Sequence, residues 1–325
     1  MRTRLPRTHA RSSALAAGAA ALATAVVLAL PQPAGAADTS PIGFGAGTTG
    51  GGSSTAVTVT TLAAFKTAVT GDSAKVVKVN GLISLSGQVD VGSNTTVLGV
   101  GSASGFTGGG LRLKKVTNVV IRNLNISKPV APADGITVQA STKVWVDHNS
   151  FSSDRDHDKD YYDGLLDITH GSDYVTVSWN TFKDHYKGSL VGHSDSNASE
   201  DTGHLRVTYH HNWFDNVNSR IPSLRFGTGH FYDNYVVGAD TAVHSRMGAQ
   251  MFVQNNVFRS TAVAVTTSRD SDVDGYANLS GNDLGGAATE ISQTGTFTSP
   301  PYSYTAKPAS TVVASVTSGA GAGKI

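Results

Sequence analysis

The chain has 325 residues, no cysteine, 36 glycines and 25 Lys+Arg against 24 Asp+Glu. The lack of cysteine excludes a disulfide scaffold, so stability must come from a buried core, which a chain of this length can build. The near balance of charge excludes a general electrostatic footprint for nucleic acid, and any polyanion must meet a local cluster of basic residues.

Residues 1–36 read as a secretory signal peptide. Arg2, Arg4, Arg7 and Arg11 precede an apolar run from Ala14 to Leu30, and Ala34-Gly35-Ala36 offers a small-residue cleavage site. The run is short for a membrane span, and no second one follows, so the expected location is extracellular, with no membrane partner. Residues 37–325 then carry 21 bases against 24 acids, a net charge of −3, and are expected to form one domain that acts as a monomer.

Residues 43–54, GFGAGTTGGGSS, do not fit a dinucleotide fingerprint, because no strand precedes them and no conforming helix follows. TTLAAFKTAV from Thr60 reads as a short helix with Leu62, Phe65 and Val69 on one face. Its expected job is to cap the first coil of a repeat array. From Val76 the chain becomes short β-branched runs punctuated by Gly and Asn.

An Asn-x-apolar signature recurs at Asn149, Asn180, Asn212, Asn234, Asn256 and Asn282, with spacings of 31, 32, 22, 22 and 26 residues. A base period near 22 with local insertions marks a solenoid whose loops swell at chosen turns. The fold class is therefore all-β, a right-handed parallel β-helix with an internal asparagine ladder, each asparagine placed at a tight, left-handed bend. An antiparallel sandwich is the alternative, but two-residue hairpin signals are rare.

DGITVQ from Asp134, DGLLDIT from Asp163, KGSLVGH from Lys187 and IPSLRFG from Ile221 look like one strand repeated. Stacked coils lie about 4.8 Å apart. Stacking would thus gather Asp134, Asp163, Lys187, Arg220 and Arg225 into one outer row, with Asp167 four residues after Asp163 on the same coil. The two longest insertions, 152–163 and 193–204, should wall one side of it, and a walled groove on a straight solenoid suits a linear polymer. Six histidines (170, 185, 193, 204, 210 and 211) match no zinc spacing and read as surface strand or turn positions. Trp145, Trp179 and Trp213 read as packing residues at equivalent repeat positions. The tail from Gly286 loses the repeat. TSPPYSY should cross the outside of the coils and cap the C-terminal end, and TVVASV should form a last strand.

VWVDHN, DGLLDI, SDYVTVSWN, DHYKGSLVGHSD, VTYHHNWF and RIPSLRFG together resemble the pectate lyase family of parallel β-helix polysaccharide lyases. The resemblance runs from about Thr39 to Gly286. Its most specific parts are the Arg-x-Pro-x-x-Arg element, the lysine 20 residues after Asp167, and the aspartate 13 residues before that of VWVDH. It implies Ca²⁺ as cofactor, held by Asp134, Asp163 and Asp167. It further implies Lys187 on a substrate carboxylate, Arg220 as catalytic base and Arg225 as a second substrate-holding arginine. Asp147 and His148 match VWVDH without being counted as ligands.

The chemistry of the residues is compatible with that assignment. Ca²⁺ takes six to eight oxygens, and three aspartates leave room for substrate and water. In a uronic acid the C5 proton lies α to the carboxylate, so cations there would acidify it and permit β-elimination of the C4 oxygen from polygalacturonate. Arginine is a poor base unless neighbouring cations depress its pKa, which favours an alkaline optimum; the alternative makes Arg220 a cationic clamp with hydroxide or water as base. A pectin lyase acting on methyl esters, a glycoside hydrolase and a non-catalytic polysaccharide-binding β-helix are the other readings.

Overall fold

A computed structural model describes residues 1–2 and 38–325; the expected signal peptide lies outside the described residues. The chain winds into a right-handed parallel β-helix of about ten turns. Sheet A has ten strands, from Ala56–Val59 to Tyr276–Ser280, sheet B eight, from Leu82–Ser84 to Val257–Arg259, and sheet C nine, from Gln88–Asp90 to Ala288–Glu290. Each complete coil contributes one strand to each sheet, so residues 20–33 apart become neighbours, as in Ile136 against Leu166 and Phe182 against Phe214.

Inward side chains fill one continuous core running the length of the coil. Within it Phe151, Phe182 and Phe214 stack face to face at centroid spacings of 4.8 and 4.6 Å, close to the strand repeat itself. At the corner between sheets A and B the asparagine ladder is complete from Asn149 to Asn282. Each amide Nδ2 donates to the Oδ1 of the next asparagine at 3.0 Å. The same Oδ1 also accepts from the preceding asparagine's backbone N–H, as in Asn149 N to Asn180 Oδ1 at 2.8 Å. The left-handed bend falls one residue earlier than expected. His148, Trp179, His211, Asp233 and Asn255 have positive φ, and the ladder asparagines do not. None of these bend residues joins the core cluster, and Trp179 stacks on His148 and on His211 along the corner.

The helix α1 (Leu62–Val69) is capped by Thr61, whose hydroxyl accepts from Ala64 N, and it buries Phe65 and Val69 over the first coil. The glycine-rich stretch lies against sheet A so closely that a Cβ on Gly51 would meet Lys75 O at 2.0 Å. Beyond sheet C the chain crosses sheet A from outside, where Tyr302 Oη contacts Thr208 and His230 at 2.8 and 2.7 Å.

The expected last strand is a helix, α2 (Ala309–Gly319). Val312 and Val316, four apart, bury against Val257, Trp213 and Tyr235, and this packing overrides their β-branched preference. At the C-terminal end Ala287 and Ile291 pack against the core, and after α2 the tail runs back along the ladder corner, where Gly321 N donates to Trp179 O and Gly323 N to Asn123 Oδ1. The tryptophans occupy three different register positions. Trp145 lies in a sheet A strand, Trp179 at the corner between His148 and His211, and Trp213 at the start of a sheet B strand.

Asn180→Leu would orphan the buried Asn149 N–H and take the amide donor away from Val146 O and from Ser178 O, which keeps only the His148 N–H. The variant is expected to lose about 3 kcal/mol in urea unfolding of the full chain; a loss under about 1 kcal/mol would show that the ladder is not energetically coupled.

Candidate active site

The charged residues gather at the corner between sheets B and C in two short rows, because they come from two different sheets. Lys187 ends the sheet B strand Thr181–Lys187 and pairs in register with Ser219, the residue before Arg220. Asp167 lies in the sheet C strand Leu166–Thr169, Arg225 in Ser223–Arg225, and Asp134 and Asp163 in the turns leading into sheet C. The glycines after Asp134 and Lys187 have a steric cause: a Cβ on Gly135 would lie 2.6 Å from Leu165 O, and one on Gly188 2.6 Å from Arg220 O.

The apparent repeat of Asp134 and Asp163 is out of register by one residue. Ile136 pairs with Leu166, so Leu165 is an insertion and Asp134 faces Gly164. Gly164 becomes the hub of the acidic group. Its N–H donates to both Asp134 Oδ1 and Asp163 Oδ1 at 3.0 Å, and a Cβ on it would stand 2.4 Å from Asp167 Oδ1. Thr137 Oγ1 donates to Asp134 Oδ2 at 2.6 Å, and Leu190 N to Asp167 Oδ1 at 3.0 Å. No group of three or more His, Asp or Glu side chains among the described residues forms a preassembled metal cage. The aspartates surround Gly164 as an open, oxygen-only half-shell.

The electrostatics of this cluster are unfavourable without a cation. Burial, then the neighbouring Asp167 and Asp163, push Asp134 up to about 8. Burial pushes Asp167 up to about 6, against the opposing pull of the Leu190 N–H and the Arg220 and Lys187 charges. Hard carboxylate oxygens crowded in this way fit a hard divalent cation such as Ca²⁺.

The cations lie alongside. Lys187 Nζ is 3.2 Å from both Asp163 and Asp160, and is 12% exposed. Arg225 is held by Asp195 and by Gly192 O at 2.9 Å. Arg220 has no carboxylate within 4 Å among the described residues. It lines a cavity of about 460 Å³ with Asn218, Ser223, His244, Arg246 and Arg269. Its positive φ of 59° is shared with many corner residues, including His148 and Trp179, so it reflects the coil geometry.

The two swollen loops flank the site on opposite sides. Residues 153–165 join sheet B to sheet C and bring Asp160 to Lys187; residues 192–205 join sheet C to sheet A and bring Asp195 to Arg225. Three of the histidines taken for surface positions are buried: His185, His210 and His211. His185 Nε2 contacts Asp163 O at 2.7 Å, and burial lowers its pKa to about 4, so it supports the turn as a neutral imidazole. Asp147 is remote from the acidic cluster, bonded on sheet A by Arg122, His148 and Ser178 at 2.6 Å each.

A coil that sets an acidic half-shell beside lysine and arginines is matched over residues 15–325 by the family model described as pectate lyase. The chain belongs to the pectate lyase family. It is 50% identical over 277 residues to pectate lyase A of Aspergillus niger, covering 85% of this chain and 84% of the relative. It is 50% identical over 287 residues to pectate lyase B of Colletotrichum gloeosporioides, covering 87% and 86%. Among solved structures, a Bacillus pectate lyase in complex with trigalacturonate superposes with a TM-score of 0.80 at 34% identity, covering 87% of this chain and 99% of that one. The chain is an enzyme, a lyase acting on pectate.

Sequence reasoning missed Gly164, Asp160 and Asp195. For Gly164 the only available signal was that DGLL is one residue longer than DGIT before the first inward apolar side chain. In this lyase Gly164→Ala is expected to lower kcat/KM about 100-fold, since the methyl would displace the Asp167 carboxylate, while the thermal midpoint stays within a few degrees. Steady-state kinetics and a melting curve check both; unchanged kinetics would show that the carboxylates do not depend on this glycine.

Proposed function

We propose that the enzyme is secreted, acts as a monomer, and cleaves de-esterified (1→4)-α-D-galacturonan by Ca²⁺-assisted β-elimination. The observation that carries this reading is the juxtaposition of the Gly164-centred carboxylates with Lys187 and Arg220, whose charges both act on Asp167. The trigalacturonate bound by the similar Bacillus enzyme supports the substrate class.

Asp134, Asp163 and Asp167 would hold Ca²⁺, which when bound neutralises the substrate carboxylate and so acidifies the C5 proton. Lys187 and Arg225 bind and orient that carboxylate, and their charge stabilises the negative charge growing on it as C5 loses its proton. Arg220, free of a carboxylate partner, faces the groove as the group that takes the proton. An arginine is an unwilling base. Crowding of cations is visible next to it: burial, then Arg225, and more weakly Arg220, hold the Arg246 guanidinium below its usual range. Loss of the C4 oxygen from the deprotonated sugar then breaks the chain and leaves an unsaturated end.

The direct test is ultraviolet absorbance of unsaturated products from polygalacturonate. Wild-type enzyme should release them, chelator should abolish the release, and Arg220→Lys should lower kcat at least about 100-fold with KM little changed. Products without the chromophore would indicate hydrolysis, and activity that resists chelator and prefers esterified pectin would indicate a pectin lyase; either result overturns the proposal.

A second expectation concerns pH. In the metal-free protein Asp134 binds its proton more tightly folded than unfolded. The folded state therefore holds more protons between about pH 4 and pH 8, and stability falls as pH rises across that window. Added Ca²⁺ should raise the melting temperature more at pH 8 than at pH 5, because the ligands must be ionised. An equal increment at both values would contradict the aspartate ligand set.

A further inference from the structure

The 192–205 loop makes a contact that neither the charge row nor the half-shell explains. Asp195 reaches over sheet C and accepts from Arg225 Nε, while Arg246 Nη2 lies 3.6 Å from the same Oδ1. Arg225 and Arg246 are register partners on adjacent coils, so their guanidinium groups stack one coil apart with like charge and a tendency to splay. Asp195 lies between them, 27% exposed against 10% for Arg225 and 11% for Arg246. Arg225 is fixed a second time by Gly192 O at 2.9 Å, and Arg246 by Ser271 Oγ at 2.6 Å through its Nε and by Asp270 O through its Nη2. Each arginine thus commits part of its fork to the scaffold and keeps the remaining N–H groups available to an anion.

We propose that Asp195 is a positioning residue for substrate: one carboxylate on the swollen loop locks Arg225 and Arg246 into a single anion clamp. The inference rests on the proposed function, because the clamped anion is a uronate carboxylate of the polymer. Asp195 does not touch the reacting sugar. Its two effects oppose each other, since its oxygen orients the guanidinium groups while its charge repels a polyanion. Orientation dominates, because a bidentate contact needs a fixed fork and a single partly exposed charge is screened by salt.

The two effects separate in two variants of the full-length enzyme. Asp195→Ala removes both the oxygen and the charge, and should raise KM for polygalacturonate about tenfold with kcat changed less than about twofold. Asp195→Asn keeps the acceptor oxygen and removes the charge; its KM should stay within about threefold of wild type and rise more steeply with added salt. A merely structural aspartate would lower the thermal midpoint and the active fraction in both variants without splitting KM from kcat. An unchanged KM in the alanine variant, or an asparagine variant as impaired as alanine, overturns the proposal; should the alanine variant fail to fold, the asparagine result decides alone. Wild-type enzyme releasing no unsaturated product would instead refute the functional reading, and this is seen before any variant is measured.

Discussion

Six asparagines, linked coil to coil by five amide hydrogen bonds, fix the height at which the turns from Asn149 to Asn282 begin. A parallel strand has no hairpin to set its register, and one residue of slip would turn core side chains outward. With the corner between sheets A and B locked, any insertion must bulge elsewhere. The two longest ones emerge at the other two corners, on either flank of sheet C. The functional groove is in this sense the place where the coil is permitted to be irregular.

That irregularity has an electrostatic use. Leu165, the extra residue, puts a bare glycine N–H where two aspartates can both accept from it, and leaves space above it for a third carboxylate. A cluster of buried acids is costly unless it is protonated or met by a cation. The site presents both signs of charge: the crowded aspartates around Gly164, and Lys187, Arg220 and Arg225 at the same corner of the coil. Lys187 and Arg225 are already paired with carboxylates, and Arg220 alone of the three has none within 4 Å among the described residues.

Much of the coil was legible because a solenoid writes its period directly into the sequence: the ladder asparagines recur at a readable spacing, and the single capping helix stands out by its different apolar period. What escaped the reading depended on contacts between distant segments. Val312 and Val316 look like strand residues until the groove beside Trp213 and Tyr235 is there to receive them. His185, His210 and His211 look polar and exposed until the loop, the N-terminal stretch and the tail cover them. The register of Asp134 was misread because an insertion of one residue leaves the Asp-Gly signature intact. Asp160 and Asp195 were hidden in loops rich in aspartate, where composition does not say which carboxylate will meet a cation.

The most direct measurement is a crystal structure of the Arg220→Ala enzyme soaked with Ca²⁺ and trigalacturonate. The account predicts one ion bound by oxygens of Asp134, Asp163 and Asp167 at about 2.3–2.6 Å, with a uronate carboxylate shared between that ion, Lys187 and Arg225. An ion bound without these three aspartates, or a sugar acid seated away from Lys187 and Arg225, would contradict it.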